Sequence, residues 1–78
     1  MYYTYVLISK KDNGLYIGWT DNLKHRLKKH VSGKVLSTRS RLPVKLVYYE
    51  ACINKSKAIK REKQLKTGFG REYLKKRI

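Results

Sequence analysis

Twenty lysines and arginines stand against five acidic residues in a chain of 78, a formal charge of +15 that resists compaction unless an anionic partner relieves it. That length holds one small domain with a marginal core rather than two, a lone cysteine rules out an internal disulfide, and one cysteine with two histidines does not make a four-ligand zinc site. Nucleic acid is the first candidate partner and an acidic membrane surface the second, but no stretch approaches the roughly 20 apolar residues of a spanning helix and Met1–Ile8 lacks the basic lead and cleavage site of a secretory signal, so a cytoplasmic setting is expected.

Tyr2 to Ile8 is almost entirely aromatic and β-branched, which suits a pleated strand. Asp12-Asn13-Gly14 breaks it, because Asn and Gly accept positive φ cheaply, and Leu15 to Trp19 resumes the composition, predicting a β-hairpin. A two-residue turn would set Tyr16 opposite Lys11, and a longer loop would set it opposite Tyr5. Both registers have the same parity, so Tyr5, Leu7, Tyr16 and Gly18 are expected on one face in either case. Thr20, Asp21 and Asn22 are all candidate caps for a helix in which Leu23, Leu27 and Val31 recur every four residues until Gly33 ends it. Arg26 and His30, also four apart, edge that apolar stripe, whereas His25 lies on the far side and is expected in solvent. Ser32 to Pro43, with Lys34, Arg39 and Arg41, reads as a basic loop long enough to move against a ligand. Val44 to Ala51 is a third strand by composition. Asn54 or Ser56 caps a second helix running through Lys66, and Gly68 with Gly70 separates it from a last short helix, Arg71 to Arg77. There is no repeat or linker, so residues 1–78 are read as one domain.

Glu62 is the most telling single residue. Ala58, Ile59 and Leu65 lie four, three and three positions from it, which places a carboxylate in the middle of the apolar stripe of the second helix. It must find a cation there or be neutralised. A structural ion pair with Arg26 and a metal-ligand role are both open, since Mg²⁺ needs only one or two protein carboxylates plus water and phosphate oxygens. Gly18 inside a strand removes a side chain where another group comes close. Tyr2, Tyr3, Tyr5, Tyr48 and Tyr49 read as ordinary strand aromatics, with stacking on bases the lesser reading. His30 alone reads as a helix-surface or core-edge histidine. The basic run Lys55 to Lys66, including Lys60, is either a solvated helix face or a surface that tracks phosphates.

Taken in order, Tyr3-Thr4-Tyr5, Tyr16-Ile17-Gly18, Arg26, His30 and the helix-borne Glu62 resemble the GIY-YIG nuclease domain, and in particular its small stand-alone bacterial members. The resemblance runs over essentially the whole chain. It implies an α+β domain with a central three-stranded antiparallel sheet flanked by helices. It also implies a metal-dependent endonuclease site drawn from the hairpin and the helices. In that family the tyrosine matching Tyr16 is the general base or its relay, with the one matching Tyr5 beside it. The arginine matching Arg26 steadies the phosphate, and the carboxylate matching Glu62 holds one Mg²⁺ or Mn²⁺. Tyr3 stands where the name-giving motif has Gly, Trp19 stands where several members have a lysine, and the asparagine that follows the glutamate in larger members has no clear counterpart. The separate DNA-recognition domain of the larger enzymes has none either.

The chemistry agrees with the resemblance: hydrolysis of a phosphodiester needs a water relieved of its proton, neutralised phosphoryl oxygens and a stabilised leaving group. Tyr5, Tyr16, Arg26 and His30 are therefore the candidate catalytic residues, Glu62 the candidate metal ligand, and Lys34, Arg39, Arg41, Lys60 and Lys66 the candidate nucleic-acid contacts. The expected activity is a Mg²⁺- or Mn²⁺-dependent DNA endonuclease directed by structure rather than sequence, with DNA favoured over RNA. A homodimer is compatible with the sequence but not implied by it. The alternatives are a non-catalytic nucleic-acid-binding module on the same fold and a small ribosome-associated RNA binder.

Overall fold

In a computed structural model describing all 78 residues, strands β1 (Tyr2–Ser9), β2 (Leu15–Thr20) and β3 (Val44–Cys52) form one antiparallel sheet in the order β2-β1-β3. Helix α1 (Leu23–Val31) and a single turn α2 (Leu36–Arg39) fall between β2 and β3, and α3 (Lys55–Leu65) and α4 (Gly68–Lys75) follow. The α+β architecture and three-stranded antiparallel sheet are as expected, in a body measuring 29 × 26 × 17 Å. No helix is long and apolar enough to cross a membrane.

The hairpin adopts a register between the two alternatives, with Leu7 opposite Tyr16 and Tyr5 opposite Gly18. Asn13 takes the left-handed conformation at φ 58°, but the connection is longer than a two-residue turn, closed by Ser9 N–H on Gly14 O at 2.9 Å. Parity is preserved, so Tyr5, Leu7, Tyr16 and Gly18 do share a face. The opposite face carries Thr4, Val6 and Ile17, onto which α3 and α4 bring Leu65 and Leu74 to form the aliphatic core. Thr4 Oγ1 donates to Ala58 O at 2.9 Å and ties α3 to the central strand. A bulge between Val6 and Leu7 shifts the pairing with β3, leaving Tyr49 opposite Tyr5.

Helix starts follow the sequence closely. The Asn22 side chain accepts from His25 N–H, and Asn54 accepts from Lys57 N–H, each supplying an acceptor to an otherwise orphaned donor. Gly33, at φ 77°, follows α1 as expected.

Three expectations fail. Val31 is 65% exposed, while His30 is fully buried, so at its C-terminal end α1 turns His30 into the molecule instead of the last residue of the expected stripe, whose Leu23 and Leu27 are half-buried. The stretch from Ser32 to Pro43 is not a free loop: it holds α2, and Val35 and Thr38 are both buried. Gly68 and Gly70 do not separate two helices but lie within the first turn of α4, capped by Thr67 Oγ1 on Gly70 N–H at 3.2 Å. A Cβ at Gly70 would collide with the backbone of Leu65 and Gln64, so the glycine allows α4 to turn tightly against the end of α3.

Candidate functional site

The α1–α2 side of the sheet is built around tyrosines rather than aliphatics. Tyr5 is 1% exposed, and its hydroxyl meets His30 Nε2 at 2.8 Å. His30 Nδ1 in turn meets Thr38 Oγ1 at 2.8 Å, so a buried chain of hydrogen bonds joins β1, α1 and α2. Tyr16 stands beside it, its ring 5.1 Å from the His30 ring and 6.3 Å from the Tyr5 ring between centroids. Gly18 explains how the phenol fits: a Cβ there would lie 2.7 Å from Tyr5 Oη and 3.2 Å from Tyr16 Cε1. Only a residue without a side chain lets the Tyr5 ring lie across β2.

The electrostatics separate these groups by role. Burial pushes the Tyr5 phenol up to about 12, against the opposing pull of the Arg26 guanidinium. At neutral pH Tyr5 is therefore a neutral hydrogen-bonding group and a poor proton acceptor. Burial also lowers His30 to about 4, with the neighbouring Arg26 cation adding to the effect, which keeps its imidazole neutral and able to donate through one nitrogen while accepting through the other. Arg26 itself is held above the ordinary arginine range, chiefly by the Tyr5 phenol, with burial opposing and Tyr16 adding to it. Its side chain takes part in none of the four ion pairs of the protein, so its positive charge faces phenols and no carboxylate.

Tyr16 also borders a cavity of about 630 Å³, with Arg41, Lys66, Arg71 and Lys75 around it. Four cations beside one tyrosine make a binding place for an anion. Arg41 is fixed by Asp12, Nε to Oδ2 at 3.3 Å, and Lys66 Nζ lies 3.5 Å from Glu62 Oε1. The ion pair between Glu62 and Arg26, one of the two readings left open by the sequence, does not form; the carboxylate meets Lys66, four residues on, instead. The Glu62 side chain is 17% exposed; it does not itself line the cavity, and its link to it is the contact with Lys66.

Of the residues singled out from sequence, the structure thus gathers Tyr5, Tyr16, Arg26 and His30 into one cluster and brings Arg41 and Lys66 to the adjoining cavity, while Glu62 meets Lys66 without lining the cavity itself. It does not bring Lys34, Arg39 or Lys60 there. Lys34 borders a separate groove beside Lys24 and Lys28, and Arg39 and Lys60 are exposed elsewhere. Sequence reasoning missed Thr38, which holds the far side of His30, and it missed Arg71 and Lys75, which α4 contributes to the cavity. Their spacing of four along one helix was a usable signal for the latter pair; nothing local marked Thr38.

A divalent ion fits this donor set within limits. No group of three or more His, Cys, Asp or Glu side chains converges anywhere, which argues against a closed zinc site. Glu62, one partly buried carboxylate next to the cavity residue Lys66, is the donor that would hold Mg²⁺ or Mn²⁺, which keep water and take up phosphate oxygens.

Comparison with known proteins agrees with the fold. The GIY-YIG catalytic domain family matches residues 1–76. A UPF0213 protein of Clostridium perfringens is 49% identical over 67 residues, covering 85% of this chain and 71% of its own. One from Staphylococcus haemolyticus is 45% identical over 73 residues, covering 91% and 89%. The solution NMR structure of a UPF0213 protein from Bacillus halodurans superimposes with a TM-score of 0.58 at 37% identity, over 95% of this chain and 82% of that one. The chain belongs to the GIY-YIG family, a superfamily of nuclease domains.

Proposed function

We propose that the protein is a divalent-metal-dependent endonuclease that hydrolyses DNA phosphodiester bonds, directed by the structure of the nucleic acid rather than its sequence. The observation that carries this reading is the position of Tyr16, between a buried, neutral Tyr5–His30–Thr38 chain and a cavity bearing four cations. In this reading the cavity cations hold the phosphate backbone, which positions a substrate without specifying its sequence. Arg26, with no carboxylate to neutralise it, meets the phosphate undergoing attack. Tyr5 is unsuited to take a proton at neutral pH, so Tyr16 accepts the proton of the attacking water while Tyr5 and His30 fix its ring. Glu62 would hold the metal ion, whose charge, when bound, neutralises phosphoryl oxygens and makes water more acidic.

One observation favours a second reading, a binding module without useful catalysis: the Glu62 carboxylate is already engaged by Lys66. Single-turnover cleavage of labelled duplex, flap, junction, single-stranded DNA and RNA, with and without Mg²⁺ or Mn²⁺, decides between them. The nuclease reading expects metal-dependent cleavage of a branched or flapped DNA, abolished in Glu62→Gln while binding holds level or tightens. Tight binding with no cleavage of any substrate would establish the binding module. Cleavage or retention of RNA alone would replace DNA as the substrate.

A further inference from the structure

We infer that the cleft between Tyr3 and Tyr49 is a second subsite, which receives one unpaired nucleobase of the bound nucleic acid. This rests on the nucleic-acid reading above and adds to it a device for distinguishing unpaired from fully paired substrates. The tyrosines of this protein fall into different situations. Tyr5 and Tyr16 belong to the site already described, and Tyr48 and Tyr73 are engaged with each other, Glu50 and two arginines. Tyr3 and Tyr49 have no such engagement: their rings stand 6.3 Å apart at 59°, and Tyr49 is 54% exposed.

The cleft beside them has a volume of about 550 Å³, with Leu23 and Leu27 of α1 as its apolar wall and Lys24 and Asp21 at its margin. Its chemistry selects a base over a phosphate. Aromatic and aliphatic walls match the π-face of a base, and any base can stack there. Asp21 is the one carboxylate of the protein's five that is in no ion pair. A phosphate placed against it would be repelled, whereas an exocyclic amino group would donate to it. Lys24 is left to meet the flanking phosphate, and the surplus of cations makes the surrounding surface attractive to the rest of the strand. The cleft therefore favours cytosine, adenine or guanine over thymine or uracil.

Its place on the sheet connects it to the chemistry. Tyr49 pairs across from Tyr5, and Tyr3 lies two residues from Tyr5 on the same face of β1, roughly 7 Å along the strand. Helix α1 borders both places, with His30 against Tyr5 and Tyr16 and Leu23 and Leu27 against the cleft. One strand of nucleic acid can reach both, with the unpaired base held a short distance from the phosphate at Tyr16.

The test uses metal-free buffer, so that no cleavage intervenes, and fluorescence anisotropy with a blunt DNA duplex and the same duplex carrying a short single-stranded extension of cytosine or of thymine. The wild-type protein should bind the cytosine extension about tenfold more tightly than the blunt duplex, the order of one stacked base, and the thymine extension less tightly than the cytosine one. Tyr49→Leu keeps an apolar side chain at an exposed position, so it should erase the margin between extended and blunt DNA while its affinity for blunt DNA, and its melting, stay unchanged. Asp21→Asn should remove the preference for cytosine over thymine. Equal wild-type affinity for blunt and extended DNA overturns the subsite, as does a Tyr49→Leu protein that weakens on both alike. Absence of binding to any of these DNAs at low salt would overturn the nucleic-acid reading itself, a result distinguishable from either of those.

Discussion

Two clusters in this small molecule use the same residue types to opposite effect. On the α3–α4 side, Tyr48 and Tyr73 meet at 3.2 Å between hydroxyls, and Glu50 accepts from Tyr48 and from two nitrogens of Arg61. On the α1–α2 side, Tyr5 and Tyr16 meet Arg26 with no carboxylate among them. The first cluster is complete. Burial raises the Glu50 carboxyl, and the bonds from Arg61 and Tyr48 overcome that and hold it below the ordinary carboxylate range; Arg61 and Arg77 lie 4.6 and 3.6 Å from the Tyr73 ring centre. The second cluster is an open circuit, because its cation has been partly desolvated without receiving an anion. The difference is a single carboxylate: its presence makes one cluster a staple between β3, α3 and α4, and its absence leaves the other with a cation that, under the nuclease reading, a phosphate would balance.

The largest contrast expected is in catalysis. Tyr16→Phe and Arg26→Gln should each lower the single-turnover cleavage rate by about 10² to 10⁴ while leaving the melting temperature nearly unchanged. Arg61→Gln should do the reverse, and equal rates in Tyr16→Phe and wild type across the pH range would remove Tyr16 from the mechanism. Because a tyrosine accepts protons as its phenolate, the wild-type rate should climb toward alkaline pH, and that climb should flatten in Tyr16→Phe.

Stability should depend on pH through the open cluster. His30 titrates near 6.5 when unfolded and near 4 when folded. Between those values the unfolded chain binds more protons, so stability present above pH 6.5 is lost as the pH falls toward 4, by about 3 kcal/mol. Urea denaturation across that window measures it, and His30→Gln should flatten the slope. Tyr5 acts at the other end: its folded value of about 12 against an ordinary 10 means stability declines as the pH rises from 10 toward 12.

The closed cluster offers a smaller effect. Glu50→Gln removes the charge that Arg61 and Tyr48 are arranged around, and with both partners about a quarter to a third exposed the loss should be about 1–2 kcal/mol by chemical denaturation, well under that of a fully buried pair. Smallest of all, Glu62→Gln in metal-free buffer should change stability by no more than about 1 kcal/mol, because its i,i+4 partner Lys66 is 54% exposed and solvent screens the pair. A large loss there would make Glu62 a structural partner of Lys66 instead of a metal ligand.

The sequence made the hairpin faces legible because side-chain direction alternates with period two, and the parity of Tyr5 and Tyr16 survived an error in register. Asn22 and Asn54 were legible as caps because capping is local. His30 was legible only in part: its spacing put it at the edge of the apolar face, but its full burial comes from Tyr5 of β1 and Thr38 of α2, which no local signal marked. Glu50 pairs with Arg61 across elements that meet only once the sheet is covered, so no spacing announced it; the spacing of Arg71 and Lys75 put them on one helix face but did not say that this face meets Tyr16. The charge balance was readable at once, but which cations surround Tyr16 was not.

The longest dimension of the molecule, 29 Å, bears on what a single copy can produce. At 3.4 Å per base pair, a body of that length covers fewer than about nine base pairs, less than one turn of duplex, and it presents one Tyr16 to one strand. Under the nuclease reading each encounter therefore severs a single strand. Supercoiled plasmid would pass through a relaxed, singly nicked circle before any linear product accumulates, and direct linearisation would require two copies acting together on opposite strands.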